Sequence, residues 1–193
     1  MQSGVQTKPS GCNLCPLSFS GTGFCPDNVP QYPKLMLLLE TPYSDDVLYQ
    51  RPLSGKMGDF LENSIIKPSG LKRDDLLIAH VLRCKVKDYP TAKNKRLSEE
   101  HCRRYDTGIK QFHPSLFVIT FGVDDTFSDS AYTALMINDF KRAKWLTTEY
   151  PDEKICILAG REAVNLVTKL PFEDGKGGIK SWRGSYFKSK WNY

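Results

Sequence analysis

Four short apolar runs, separated by segments with helical spacing, constrain the fold of this chain more than any other feature. They cover residues 34–39, 75–82, 116–120 and 154–158. Apolar runs of this length are typical of strands that are covered on both faces, as in a parallel sheet. The alternation of strands and helices predicts an α/β fold: a three-layer α/β/α sandwich with a short, mostly parallel four-stranded central sheet.

Helical spacing is clearest in residues 56–66 and 131–146, and a further helix is predicted to begin at Gly160. In a parallel sheet, ligands bind beyond the carboxyl ends of the strands. Several polar or small residues fall near such ends: Glu40, Asp46, His80 and Gly160. The sequence therefore predicts a functional site at that edge of the sheet.

The composition is that of one globular domain. Of the 193 residues, 40% are hydrophobic and 25% are charged, which excludes collagen-like and disordered chains. No apolar run approaches the roughly 20 residues that span a bilayer, and no charged-then-apolar leader opens the chain. We therefore expect a single domain over residues 1–193, with an N-terminal arm over 1–33, in a monomeric, cytoplasmic protein of a prokaryote or of a virus-infected cell, without membrane contact.

Charge is distributed unevenly along the chain. Residues 1–66 hold four Lys or Arg and six acids, whereas residues 67–110 hold twelve and six. The last eighteen residues hold five basic groups and no acid. This asymmetry favours a polyanionic partner such as DNA, although a solvated basic face would give the same pattern.

Six cysteines are too few for a disulfide framework in a chain of this length. Cys12 and Cys15 form a CxxC knuckle, and Cys84 and Cys102 are candidates for a second pair. Four thiolates suit either a structural zinc or an iron–sulfur cluster, and the spacing does not separate these two. Cys25 is interpreted as a free thiol, with a spare metal ligand as the alternative, and Cys156 as an inert core residue.

Motifs spread over most of the chain resemble the iron–sulfur uracil-DNA glycosylases, family 4 and its relatives. The segments Leu39-Glu-Thr-Pro-Tyr-Ser-Asp-Asp46 and Arg51-Pro-Leu-Ser-Gly55 resemble the family's Gly-Glu-Ala-Pro-Gly loop, its acidic stretch and its Arg-Pro-Phe-x-Gly segment. Ile78-Ala-His-Val-Leu-Arg-Cys84 resembles the strand that carries the base-reading Asn of the family. Leu158-Ala-Gly-Arg-Glu-Ala163 and Arg183-Gly184 resemble its Leu-Gly-x-x-Ala and Arg-Gly motifs.

The resemblance implies a DNA glycosylase that flips a base out of DNA and hydrolyses its N-glycosidic bond, leaving an abasic site. Asp46 would position the water with Glu40 in support, and His113 would donate to the leaving base. The base pocket would be lined by Pro42, Tyr43, Leu53 and His80. The DNA phosphates would be contacted by Arg183, Gly184, Ser115 and Lys188. A structural [4Fe–4S] cluster would be held by Cys12, Cys15, Cys84 and Cys102.

Two positions depart from the family pattern. Leu53 replaces the Phe that stacks on the flipped base, and aromatic stacking contributes roughly 1–3 kcal/mol per base. His80 replaces the base-reading Asn and offers a hydrogen-bonding pattern that depends on its tautomer. These departures leave the excised base open, and the alternative is a weakly active or inactive glycosylase-like module that binds DNA.

The order of the last segments also differs from that of the family, because His113-Pro-Ser-Leu116 precedes Arg183-Gly184 instead of following it. In one interpretation, residues 106–146 and 147–193 have exchanged places. In the other, the chain is collinear with the family, residues 113–122 hold its Leu-Gly strand, and the motif at Ala163 is incidental. His113 would then only begin a strand.

Overall fold

The predicted apolar runs form the centre of a parallel sheet. The computed structural model describes residues 8, 10–15, 17, 21–86, 98, 102, 112–122, 129–168 and 182–188. Their strands are β1 (Gly21–Phe24), β2 (Leu35–Leu39), β3 (Leu76–His80), β4 (Cys84–Val86), β5 (Leu116–Thr120), β6 (Ile155–Ala159) and β7 (Tyr186–Lys188). Five of them form the central sheet in the order β3-β2-β6-β5-β7, and β1 pairs with β4 in a separate two-stranded sheet.

Strands β2, β3, β5 and β6 are parallel, which confirms the predicted four-stranded parallel core of an α/β fold. Leu35 pairs with Leu76 on one side and with Ile155 on the other, so the amino ends of these strands share one edge of the sheet. The sheet has five strands instead of the predicted four, because β7 runs antiparallel along β5. Since β7 has only three residues and is partly exposed, it gives no apolar run in the sequence.

The helices follow the predicted spacing closely. They are α1 (Ser44–Leu48), α2 (Lys56–Leu61), α3 (Ser130–Glu149) and α4 (Arg161–Val167), with 3-10 turns at Ser10–Leu14 and Arg73–Asp75. A π-helical turn, Glu62–Ile66, continues α2 to the end of the predicted segment. Asp129 caps α3 because its carboxylate accepts the backbone N–H of Ala131 at 2.8 Å. None of these helices of the described chain combines the length and the apolar character that crossing a membrane requires.

The central sheet is covered on both faces, which confirms the three-layer arrangement. Leu35, Leu37 and Leu39 point to the face covered by α3 and the α2 segment. Met36 and Leu38 point to the opposite face, where α4 packs. Each fully buried leucine contributes about 1.5–3 kcal/mol, so burial on both faces stabilises the short strands.

The N-terminal arm is attached to the sheet by backbone hydrogen bonds. Phe24 on β1 lies opposite Cys84 on β4. Further along, the backbone groups of Asn28 and Ile78 exchange two hydrogen bonds of 2.9 and 3.0 Å. These bonds cover the outer edge of β3, which would otherwise expose unpaired backbone groups.

Candidate functional site

The carboxyl edge of the sheet collects the predicted polar residues. Glu40 directly follows β2, His80 ends β3, and Gly160 directly follows β6. Asp46 lies on α1, which begins a few residues after β2. This is the edge at which open parallel sheets bind their ligands.

Asp46 is completely buried, and backbone hydrogen bonds fix its carboxylate. One oxygen accepts the N–H of Tyr43 at 2.9 Å, and the other accepts the N–H of Ser54 at 2.7 Å. Burial raises the pKa of the Asp46 carboxyl above its usual range, and the two hydrogen bonds oppose that rise. The carboxylate thereby joins the two loops that were predicted to line the base pocket.

His80 is a buried imidazole beside this carboxylate. Its Nε2 lies 3.8 Å from Oδ2 of Asp46, which is too far for a hydrogen bond. Neither ring nitrogen has a hydrogen-bond partner among the described residues. Burial, with a contribution from Arg83, lowers the pKa of His80 to about 3. The ring is therefore neutral near pH 7 and holds one unused donor and one unused acceptor.

Glu40 anchors one element to another. Its Oε1 accepts the backbone N–H of Glu162 at 3.0 Å, although the two residues are 122 positions apart. The contact requires a glycine at position 160, where a Cβ atom would lie 2.5 Å from the same oxygen. Glu40 thus connects the end of β2 to the first turn of α4, which is a structural contact.

Leu53 is a core residue. Only 3% of its surface is exposed, and it packs within the core cluster on the α3 face of the sheet. Arg73 holds the Leu53 turn by donating to the backbone oxygens of Pro52 and, at 3.2 Å, of Leu53. Of the other two predicted pocket residues, Pro42 is buried and Tyr43 is half-buried. The described structure therefore gives Leu53 no exposed face against which a base could stack.

His113 lies at the opposite edge of the sheet. It is exposed, has a positive φ of 47°, and precedes the amino end of β5. A five-residue strand separates this edge from the Asp46 edge by roughly 16 Å. The structure does not bring His113 to Asp46 and Glu40, because the residue comes before a parallel strand instead of after one.

Ser115 and Lys188 also lie at the amino edge, where both bind Glu153. The Ser115 hydroxyl donates to one oxygen of Glu153, and Nζ of Lys188 lies 2.8 Å from the other. These contacts lower the pKa of the Glu153 carboxyl. The two predicted phosphate contacts are thus not next to the carboxyl-edge site.

Arg183 and Gly184 lie at the carboxyl end of β5, and their polar groups bond within the protein. Nη1 of Arg183 lies 3.3 and 3.4 Å from the two oxygens of Asp139, a buried acid on α3. Asp139 also accepts the hydroxyl of Thr120 at 2.9 Å. The N–H of Gly184, a residue with φ of 73°, donates to the oxygen of Ile119. Arg183 therefore donates to a buried carboxylate, while 23% of its side chain stays exposed.

These positions bear on the order of the last segments. His113 stands where a strand begins, as the collinear interpretation has it. The turn after β6 contacts Glu40 at the candidate site through the N–H of Glu162. Both interpretations of the segment order stay predictions.

The four predicted ligand cysteines lie in one neighbourhood. Cys12 and Cys15 share a 3-10 turn, in which the N–H of Cys15 donates to the oxygen of Cys12 at 3.1 Å. Burial raises the pKa of the Cys102 thiol to about 12, and the nearby thiols of Cys84, Cys15 and Cys12 add to the rise. All six cysteines, each within the described part of the chain, are free thiols.

This donor set fits a zinc ion or an iron–sulfur cluster in its chemistry. Among the described residues, however, no group of three or more His, Cys, Asp or Glu side chains has an arrangement that could hold a metal ion. The four thiols are thus neighbours of the type that either centre requires.

A buried ion pair that the sequence patterns do not indicate, that of Arg83 with Asp27, lies near both Cys25 and His80. Arg83 pairs with Asp27, and its backbone oxygen accepts the N–H of Cys25 at 2.7 Å. Burial raises the pKa of the Cys25 thiol to about 12, with contributions from Asp46 and Asp27. Asp27 lies in a Gly- and Pro-rich loop, so no apolar pattern indicates that it is buried.

The fold and the site together define an α/β protein with a buried carboxylate and a neutral histidine at the carboxyl edge of its sheet. Neither the protein-family models nor the curated proteins include a match to the chain. The resemblance to glycosylases therefore stays a prediction from the motifs.

Proposed function

We propose that this protein is a DNA glycosylase that hydrolyses the N-glycosidic bond of uracil, or of a modified base, after that base has flipped out of DNA. The observation that carries the proposal is the pair of Asp46 and His80, 3.8 Å apart at the carboxyl edge of the sheet. One is a fixed carboxylate, and the other is a buried ring whose two nitrogens lack partners among the described residues.

The carboxylate suits the bond that has to break. Hydrolysis of an N-glycosidic bond passes through a sugar with oxocarbenium character, so a negative charge and a positioned water stabilise the transition state. The N–H groups of Tyr43 and Ser54 fix the orientation of Asp46 and leave each oxygen with a further lone pair. Asp46 would hold the attacking water, and Glu40 would keep the end of β2 in position.

The imidazole suits a base as its ligand. A neutral histidine offers one N–H donor and one acceptor, and the edge of uracil offers a carbonyl oxygen and an N–H group. A buried polar group that lacks a partner costs free energy, which a matching base would recover. Because His80 has no exposed surface, the base has to leave the DNA stack and the protein has to open over the ring before the two can meet.

DNA as the partner is also supported by charge. The chain carries a formal net charge of +5, and its basic residues are concentrated after position 66. Binding to phosphates would release counterions and would therefore weaken as salt is added. We expect a monomer that acts on single- or double-stranded DNA. We also expect it to be intracellular, because its DNA substrate lies inside the cell.

A [4Fe–4S] cluster is the proposed cofactor, with a structural zinc as the alternative. Cys12, Cys15, Cys84 and Cys102 would hold it. The cofactor would supply a crosslink between the N-terminal arm and β4, and no chemistry at the base. Cys84→Ser should lose iron and acid-labile sulfide, whereas Cys156→Ser, which changes a core thiol on β6, should keep both. Zinc without sulfide in the unaltered protein would favour the alternative.

A non-cleaving module that binds DNA is the second candidate. It is favoured by the burial of Leu53 in the core, which removes the stacking partner of the base, and by the distance of His113 from the site. Such a module would bind DNA in a salt-dependent manner and release no base.

The deciding experiment is an alkali-cleavage assay on single-stranded DNA with one central uracil, extended to a panel of modified bases. We expect cleavage by the unaltered protein and a loss of at least about 100-fold in Asp46→Asn, with DNA binding retained. Asp59→Asn, which alters an exposed acid on α2, is the matched control. Cleavage of no base by protein that retains its cofactor and binds DNA would favour the non-cleaving module.

A further inference from the structure

Arg73 is a cation near Asp46 that no motif of the sequence singles out. It begins the 3-10 turn before β3, and its guanidinium reaches the loop between α1 and α2. There Nη1 donates to the backbone oxygen of Leu53 at 3.2 Å, and Nη2 donates to that of Pro52. Nε of Arg73 is buried and has no hydrogen-bond partner among the described residues. The two ends of the guanidinium fork therefore bind two consecutive carbonyl groups of one turn.

The turn that accepts these bonds has an unfavourable backbone conformation. Leu53 has a φ of 53°, in the left-handed region that residues with a side chain rarely adopt. The hydroxyl of Ser54 closes the turn by donating to the backbone oxygen of Arg51 at 2.9 Å. A Cβ atom at position 58 would overlap the oxygen of Leu53, so Gly58 leaves room for that oxygen. Such a conformation persists only where surrounding contacts maintain it, and the bonds from Arg73 are among these contacts.

The peptide bond between Leu53 and Ser54 connects Arg73 to the site acid. The N–H of Ser54 donates to Oδ1 of Asp46 at 2.7 Å. This N–H and the oxygen of Leu53 belong to the same planar peptide unit, so a bond that fixes the oxygen also fixes the direction of the N–H. A cationic donor on the oxygen also polarises the peptide unit and makes its N–H a stronger donor. The hydrogen bonds therefore run from Arg73 through one peptide unit to the Asp46 carboxylate.

The charge of Arg73 also acts on the Asp46 carboxyl. Burial raises the pKa of this carboxyl, the positive charge of Arg73 lowers it, and the neighbouring Asp45 raises it. Cys25 of the arm and His80 of β3 lie near the carboxylate as well. Both are neutral near pH 7, because burial raises the pKa of the thiol to about 12 and lowers that of the ring to about 3. Within the described chain, Arg73 thus supplies positive charge that favours the ionised form of Asp46.

We propose, on the basis of the proposed function, that Arg73 is a positioning residue for the hydrolysis of the glycosidic bond. Through the peptide unit of Leu53 and Ser54 it keeps the Asp46 carboxylate oriented and ionised for the attacking water, without touching the base itself. A carboxylate that turns away, or that carries a proton, holds the water less well, and small displacements of a catalytic group are costly in rate.

The test compares Arg73→Met, which removes both donors and the charge, with Lys72→Met, which removes an exposed positive charge beside it. Single-turnover cleavage of single-stranded DNA with one central uracil is measured with protein in saturating excess, over a range of pH. Arg73→Met should lose about tenfold or more in rate, while its dissociation constant for the DNA stays within about twofold. The acid limb of its pH profile should move to higher pH, because the Asp46 carboxyl has lost a charge that lowers its pKa. Lys72→Met should change neither the rate nor the acid limb.

The carboxyl ¹³C resonance of Asp46 provides a readout that does not require cleavage. In protein with ¹³C-labelled aspartate, this resonance is the one that is missing from Asp46→Asn, and its titration gives the pKa directly. Arg73→Met should raise that pKa, and Lys72→Met should leave it unchanged. An unchanged pKa of Asp46, or an unchanged rate, in folded Arg73→Met would overturn the proposal.

Two further outcomes are decided by the same measurements. If Arg73→Met does not fold, Arg73→Lys takes its place, since it keeps the charge and loses the fork that binds both carbonyl groups. It should lose about threefold or more in rate with the acid limb in place, and a rate equal to that of the unaltered protein would overturn the positioning role. If the unaltered protein cleaves no base, the proposed glycosylase fails, whereas the titration of Asp46 still decides whether Arg73 controls its charge.

Discussion

Each edge of the parallel sheet holds a histidine, and the two histidines differ in their burial. At the carboxyl edge, His80 is buried beside Asp46, has no partner among the described residues, and has a pKa lowered to about 3. At the amino edge, His113 is exposed at the start of β5, in the same region as the contacts of Ser115 and Lys188 with Glu153. Whether a residue lies at the beginning or at the end of a parallel strand therefore determines its burial and its neighbours more than the motif that contains it.

A similar contrast separates two acid–base pairs along β7. Near the carboxyl end of β5, Arg183 binds the buried Asp139, whose side chain is 4% exposed. Near the amino end, Lys188 binds the more accessible Glu153 at the surface. Substitutions made in pairs, one at each edge, test whether the two edges differ in this way.

The largest expected effect is on activity. His80→Leu should lower the single-turnover cleavage rate by at least about 100-fold, because the base loses its polar partner. The same variant should unfold in urea at an unchanged or higher concentration, since the imidazole makes no hydrogen bond within the described structure that leucine would lose. His113→Asn, which tolerates the positive φ, should cleave within about twofold of the unaltered protein. A larger loss of cleavage rate in His113→Asn would contradict the assignment of the active site to the carboxyl edge alone.

The second effect is on stability. Arg183→Met leaves Asp139 buried with only Thr120 as a described hydrogen-bond donor, which should cost about 2 kcal/mol of unfolding free energy. Lys188→Met removes an exposed pair and should leave the unfolding curve unchanged. Chemical denaturation at pH 7 measures both variants. Equal destabilisation by both would mean that the two pairs contribute alike.

The third effect is a pH dependence of the unfolding free energy. The pKa of His80 is about 3 in the folded protein and 6.5 as its ordinary value, so below pH 6.5 the unfolded chain binds a proton that the folded one does not. The free energy of unfolding should therefore decrease as the pH is lowered from 6.5 towards 3, by up to about 1.4 kcal/mol for each pH unit. His80→Leu should remove this part of the acid sensitivity, and His113→Asn should keep it. Parallel curves for the unaltered protein and His80→Leu between pH 7 and 5 would contradict the burial of His80.

Much of this fold could be predicted from local patterns. The apolar runs mark β2, β3, β5 and β6 almost to the residue, because strands buried on both faces have no polar alternation. The same runs locate the carboxyl ends, and with them Glu40, Asp46 and His80. Strand β7 has no such pattern, and its pairing with β5 depends on the tertiary structure.

The remaining site residues depend on which elements become neighbours. The contact of Glu40 with Glu162 exists only because β6 lies beside β2, and a sequence pattern does not specify strand order. The pairing of Arg183 with Asp139 likewise requires α3 to pass beneath the turn before β7. For His113 the signal is in the sequence, since it precedes an apolar run and so belongs to the amino edge.

The position of β6 also has a consequence for biosynthesis. It lies at the centre of the sheet, between β2 and β5, yet it is the last of the parallel strands to leave the ribosome. Until it emerges, β2 with β3 on one side and β5 on the other each present an open strand edge. Such late, long-range closure slows folding and exposes nascent chains to aggregation. A chain arrested before residue 155 should therefore be a ready client for chaperones, and release of the β6 segment should end that dependence.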